Sequence, residues 1–203
     1  MLTTRYKSVV NRWLEPLGAP LARAGVPPSA LTLAGPLLTS LACLWFVRVR
    51  APLPFCLMMA AIGCLDLLDG AVARAGGRVT KFGAYLDALC DRYVEGLVAL
   101  AAAAVTGYWM LSMVALSGAL LVSYAKARAA LEAPVSNLEW PDVMQRMERS
   151  VLFLVGLAAG AVVPWRPLGH DLFWWTLALL ALLTHFTVLQ RALRARRFIR
   201  ERG

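Results

Sequence analysis

Five acids interrupt two otherwise apolar stretches of this chain: Asp66 and Asp69 in the first, Asp87, Asp91 and Glu95 in the second. Asp66 and Asp69 are i and i+3, and Gly83, Asp87, Asp91 and Glu95 recur every four residues, so on helices each set draws a line down one face. A carboxylate in a spanning helix costs about 2.5–3.5 kcal/mol even on the lenient insertion scale, and several at close quarters cannot all stay ionised without cations. Hard oxygen ligands of this kind suit Mg²⁺, Mn²⁺ or Ca²⁺ rather than zinc. Spacing alone leaves two other accounts open: an acid-lined proton or sodium pathway, and structural pairing with Arg74, Lys81 and Arg92. Gly70 and Arg74 shift the balance. A glycine beside an acidic pair lets a phosphate approach the backbone, and an arginine one turn on can neutralise it. Carboxylates, cations and an anionic ligand together point to phosphoryl chemistry.

The elements that must position these residues are apolar helices. The chain has 203 residues, 60% of them hydrophobic, with a mean hydropathy of +0.63. That is too apolar for an ordinary soluble domain, and a spanning helix needs roughly 20 such residues. Six stretches qualify, at about 29–47, 52–75, 80–106, 109–131, 147–165 and 171–192, which predicts an all-α integral membrane protein with six transmembrane helices. Pro27 and Pro28 precede the first, with Ser29 as its expected N-cap. Gly76-Gly77 makes the second and third antiparallel neighbours, so their acidic faces can meet. Residues 1–24 mix Arg5, Lys7 and Arg12 with Leu2, Val9, Val10, Trp13 and Leu14, the pattern of an amphipathic helix lying in the membrane interface. A single membrane domain over 1–203 is expected, with the six-helix core at 29–192 and a basic tail at 193–203.

The charge pattern sets the orientation and excludes other classes. With both termini inside, only Arg48, Arg50 and Arg166 of the 21 Lys and Arg residues fall on the outer side, with Arg92 inside a span. Cytoplasmic loops carry such an excess, so the chain is read as a multi-pass plasma-membrane protein with both termini and the polar site facing the cytoplasm. Trp109, Trp165, Trp174 and Trp175 fall near the expected interfaces. The net charge of +9 does not indicate nucleic acid, because the cations sit at the ends of apolar segments rather than on a soluble basic face. Cys43, Cys56, Cys64 and Cys90 lie in apolar runs without paired spacing, so neither a disulfide framework nor a zinc site is indicated. His170 and His185 lie near no serine or cysteine arrangement of a hydrolase.

The segment Asp66-Leu-Leu-Asp69-Gly70-Ala-Val-Ala73-Arg74, followed by Gly83, Asp87 and Asp91, resembles the defining motif of the CDP-alcohol phosphotransferase family at every fixed position. The resemblance implies that Asp66, Asp69 and Asp87 are metal ligands, that Asp91 is the general base and a further ligand, and that Gly70, Ala73, Arg74 and Gly83 line a CDP site with Asp66 and Asp69. It implies Mg²⁺ or Mn²⁺ as cofactor, two ions in number, a CDP-activated lipid as donor, and a homodimer. Pro28-Ser29-Ala30-Leu31-Thr32 looks like the family's Pro-Asn-x-x-Thr element near the nucleotide, with Ser29 for Asn, and adds Thr32 to the CDP-binding set.

Within the family, Ser123-Tyr124-Ala125-Lys126-Ala127-Arg128-Ala129, the pair Arg146 and Arg149, and Gln190-Arg191 resemble phosphatidylinositol phosphate synthases. The implied acceptor is a small phosphorylated alcohol, inositol 1-phosphate, with Lys126, Arg146, Arg149 and Arg191 as its phosphate-binding cations. A phosphatidylglycerophosphate synthase using glycerol 3-phosphate is the rival in the family, and the chain lacks the Gly-Lys-x-Lys-Thr element usual there. An acid-lined ion transporter is the rival from another class.

Overall fold

The structure, a computed structural model, describes residues 19–132 and 144–202. These residues form six long helices and no strand: α1 (Pro28–Val49), α2 (Pro52–Ala75), α3 (Lys81–Thr106), α4 (Trp109–Glu132), α5 (Arg146–Val162) and α6 (Leu172–Arg202), with a short 3₁₀ turn at Pro167–Gly169. Of the expected interfacial helix, residues 19–23 are helical and 1–18 lie outside the described residues, as do residues 133–143 of the polar connection.

The six apolar stretches became the six helices, and the differences lie at their ends. α1 starts at Pro28, not behind a Ser29 cap: Pro27 is extended (φ −72°, ψ 131°) and no side chain caps the helix. Proline suits the first helical position because its missing N–H would have no partner there and its φ is already helical. Arg50, in the left-handed region (φ 54°), ends α1, and Pro52 opens α2 in the same way. α5 begins at Arg146 behind a capping box in which the Gln145 N–H donates to Glu148 Oε2 at 3.0 Å. α6 runs to Arg202, through the expected tail, because Ala, Leu and Arg are strong helix formers and no Gly or Pro interrupts them.

Among the described residues, four helices are long and apolar enough to cross a membrane by length and composition: Pro28–Val49, Pro52–Ala75, Trp109–Glu132 and Leu172–Arg200. α3 carries Asp87, Asp91, Arg92 and Glu95, and α5 has only 17 residues. Large apolar side chains face outward, among them Leu37, Leu41 and Leu44 on α1, Leu57 on α2 and Leu182 on α6. Lipid, not water, is the solvent that such a surface fits.

The chain divides into two compact units, Met1–Ala101 and Ala102–Gly203, with the boundary inside α3. In the first, α1 packs on α2, with Phe46, Phe55, Ala71 and Val72 fully enclosed. In the second, α4 and α5 pack on α6 around Val122, Leu157, Phe173 and Leu177. Glycines allow that approach. A Cβ on Gly118 would overlap the Thr184 side chain, one on Gly156 would overlap Thr176, and one on Gly160 would stand 2.8 Å from Phe173 Cβ. Close backbone approach at small residues is how helices associate where apolar surface alone gives no preference for a neighbour over lipid.

Candidate metal centre

The acidic residues are brought together in the first unit by a tight reversal between α2 and α3. Gly77 adopts φ 61°, a left-handed conformation that a side chain would strain. The Gly76 N–H donates to Val72 O at 2.9 Å and the Arg78 N–H to Ala73 O at 2.8 Å, closing the end of α2. Thr80 precedes α3, and its Oγ1 accepts the Gly83 N–H at 3.0 Å, which makes it the N-cap. The reversal turns the C-terminal end of α2 onto the start of α3.

Asp66 and Asp69 from α2 and Asp87 from α3 thereby converge, with one carboxylate oxygen of each within 4.8 Å of the others. The oxygen shell of a bound Mg²⁺ or Ca²⁺ is about 4.2–5.2 Å across, so small side-chain adjustments let all three oxygens meet one ion. Three carboxylates and no nitrogen or sulfur form the hard donor set that Mg²⁺ or Mn²⁺ takes, and the residues present fit such a cation. Asp69 and Asp91 are each only 9% exposed, and an ionised carboxylate so enclosed requires a compensating partner.

α1 forms the third wall. Thr32 Oγ1 lies 2.7 Å from Asp69 Oδ2 and 3.1 Å from the Pro28 carbonyl oxygen. A methyl group at Gly35 would stand 3.9 Å from Asp66 Oδ1, so a small face of α1 covers both acids of α2. Thr32 belongs to the nucleotide set expected from the sequence, and Gly35 stands in none of the expected sets. The available signal was their shared spacing: Thr32, Gly35, Thr39, Ala42, Cys43 and Phe46 are the buried positions of α1 and lie along one stripe.

The remaining motif residues lie on the same two helices, α2 and α3. Arg74 folds back over Gly70, where a Cβ would stand 3.1 Å from Arg74 Nη1. Gly70 therefore leaves room for a guanidinium directly over the acidic turn. Asp91 stands one turn beyond Asp87 on α3 and outside the three-carboxylate group, with its Oδ2 3.3 Å from Arg92 Nη1. Glu95 continues the same stripe.

The four candidate acceptor cations lie in the second unit. Lys126 is on α4, Arg146 and Arg149 are in the first turn of α5, and Arg191 is on α6. Arg149 and Arg191 are each 5% exposed. Arg149 Nη1 donates to Met144 O at 2.9 Å, and Arg191 Nη1 donates to Val122 O on α4. At the outset of α6, Tyr108 Oη donates to Asp171 Oδ2 at 2.8 Å while Asp171 Oδ1 accepts the Trp174 N–H at 2.9 Å, capping the helix. Burial first, and then this bond to a carboxylate, push the Tyr108 hydroxyl above the ordinary tyrosine range.

Residues 26–189 match the family model described as CDP-alcohol phosphatidyltransferase. The chain is similar to the archaetidylinositol phosphate synthase of Methanothermobacter thermautotrophicus, 31% identical over 196 residues, which cover 94% of this chain and 92% of that protein. Its fold is similar to that of the Mycobacterium tuberculosis phosphatidylinositol phosphate synthase crystallised with CDP-DAG, with a TM-score of 0.79 and 26% identity over 91% of this chain and 94% of the other. A second crystal structure of that synthase, in complex with manganese and citrate, gives a TM-score of 0.76 and 27% identity over 90% and 88% of the two chains.

Proposed function

The chain belongs to the CDP-alcohol phosphatidyltransferase family and is an enzyme of phospholipid biosynthesis; from that membership we propose that it transfers a phosphatidyl-type group from a CDP-activated lipid to a hydroxyl of inositol 1-phosphate, releasing CMP. The observation that carries this reading is the convergence of Asp66, Asp69 and Asp87 within 4.8 Å on the family's own motif. The acceptor follows from the relatives, whose names share an inositol phosphate headgroup. We read the two structural units as parts of one membrane domain, because the family match runs through both.

In the proposed reaction Asp66, Asp69 and Asp87 hold Mg²⁺ or Mn²⁺, two ions in all, with Asp91 at the edge of the set. When bound, the metal supplies charge neutralisation and polarisation of the donor diphosphate. Gly70, Ala73 and Gly83 line the cytidine diphosphate site in this reading, and Arg74, folded back over Gly70, adds a positive charge there. Asp91 takes the proton of the acceptor hydroxyl. The oxygen attacks the lipid-bearing phosphorus, the bond from that phosphorus to the CMP oxygen breaks, and CMP leaves with the electron pair. Arg92 Nη1 lies 3.3 Å from Asp91 Oδ2 and holds that carboxylate in place.

Lys126, Arg146, Arg149 and Arg191 bind the acceptor phosphate in this reading. Support comes from the position of Arg146 and Arg149 at the N-terminal end of α5, where the helix dipole disfavours cations and favours a bound anion. Six spans, both termini and the site on the cytoplasmic side, a plasma-membrane location and a homodimer complete the proposal. The experiment is an acceptor panel: purified enzyme with CDP-diacylglycerol and Mn²⁺ is offered inositol 1-phosphate, inositol, glycerol 3-phosphate or serine, and CMP is measured. Inositol 1-phosphate should release CMP well above the others. Preferred release with glycerol 3-phosphate or serine would refute the acceptor.

A further inference from the structure

Thr32 makes a bond that the reaction above does not use. The geometry points to Thr32 as the positioning residue of the metal centre: its hydroxyl donates to Asp69 Oδ2 and so selects which oxygen, and which orientation, Asp69 presents to a divalent cation. This rests on the proposed reading of Asp66, Asp69 and Asp87 as ligands.

A carboxylate on a helix turns readily about its last side-chain torsion, and that torsion has broad, shallow wells. A ligand set must remove that freedom before the ion arrives, or binding has to supply the ordering. Two acceptors lie near the Thr32 hydroxyl, and it has one proton. The 2.7 Å separation from Asp69 Oδ2 is that of a charge-assisted O–H···O⁻ bond, against 3.1 Å to the neutral Pro28 carbonyl, so the proton goes to the carboxylate. The bond is enclosed, because Thr32 is 5% and Asp69 9% exposed. Water therefore competes weakly for either partner.

The platform is rigid on both sides of the bond. Thr32 is β-branched, with few side-chain rotamers open to it in a helix. It stands one turn inside α1, whose start is set by Pro28 and whose far end is held by the stacking of Phe46 on Phe55 at 4.2 Å. Gly35, one turn further, keeps the same face low beneath Asp66. The alternative use of Thr32, a direct contact to the nucleotide, fits the burial poorly. Its hydroxyl is turned toward Asp69, and little of the residue reaches open space.

The two uses separate in a Mn²⁺ titration of purified protein followed by electron paramagnetic resonance, run without nucleotide, beside CMP binding measured at saturating Mn²⁺. Thr32→Val keeps the shape and removes the donor, and is expected to weaken Mn²⁺ about 10-fold or more, the usual effect of losing a partner that orients a ligand. Thr32→Ser keeps the donor and should bind Mn²⁺ within a few-fold of the parent. The inference is overturned if Thr32→Val binds Mn²⁺ as the parent does, whatever happens to CMP, or if Thr32→Ser loses Mn²⁺ while remaining folded. A parent protein that takes up no Mn²⁺ removes the reading of the three aspartates as well, so the two failures are distinguishable.

Discussion

Phe46 of α1 lies face to face on Phe55 of α2, with ring centroids 4.2 Å apart and planes 8° apart. Neither ring is exposed. The stack fixes the spacing of the two helices near the turn that joins them. The acids of α2 lie toward its other end, against the small face of α1. Phe55→Ala should lower the thermal midpoint of the detergent-solubilised protein clearly, by a loss on the scale of about 3 kcal/mol known for buried phenylalanines. Phe55→Leu should lose less. Equal midpoints for both variants and the parent would show that the stack does not set the packing.

Asp91→Asn should leave binding of the CDP-lipid within a few-fold of the parent and lower CMP release at least about 100-fold, the lower end of what a positioned general base contributes. Single-turnover CMP release with the donor pre-bound separates the two effects. Unchanged turnover would remove Asp91 as the base, and parallel loss of donor binding would make it a ligand instead.

Lys126→Ala is expected to raise KM for inositol 1-phosphate roughly 10-fold while KM for the CDP-lipid stays put, the pattern of a lost substrate contact. Arg149→Ala and Arg191→Ala also remove bonds to the Met144 and Val122 carbonyls, so their effects on KM are read beside the thermal midpoint of each variant. A change confined to KM for the CDP-lipid would move Lys126 to the donor site.

Tyr108 offers a pH test outside the membrane spans. Its hydroxyl is held above the ordinary tyrosine range by burial and by the bond to Asp171, so the neutral form is favoured in the fold. The stability it contributes is complete below the unfolded-state value near 10 and is lost as pH rises through the higher folded value. The ultraviolet titration of the parent minus that of Tyr108→Phe should show one phenol ionising later than free tyrosine. Asp171→Asn should bring that transition only part of the way back, because burial is the larger cause. A difference spectrum that follows free tyrosine would contradict this.

The sequence showed most of what periodicity and motif spacing encode, and little of what depends on contact between elements. The acidic stripe at Asp87, Asp91 and Glu95 and the Gly76-Gly77 reversal sufficed to bring α2 and α3 together, because helical register and one turn determine that meeting. Helix ends were less legible: Pro28 displaced Ser29 as the start of α1, and the basic tail continued α6 to Arg202. The bond from Thr32 to Asp69 joins residues 37 positions apart. No local pattern specifies such a bond, since a threonine on a helix is equally at home returning its hydroxyl to its own backbone, as Thr176 and Thr187 do.

Anomalous diffraction at the manganese edge from crystals grown with Mn²⁺ tests the centre of this account most directly. The expected map has its main peak within coordination distance of carboxylate oxygens from Asp66, Asp69 and Asp87 together, and Asp87→Asn reduces that peak. A main peak held by other residues, or one that Asp87→Asn leaves unchanged, would contradict it.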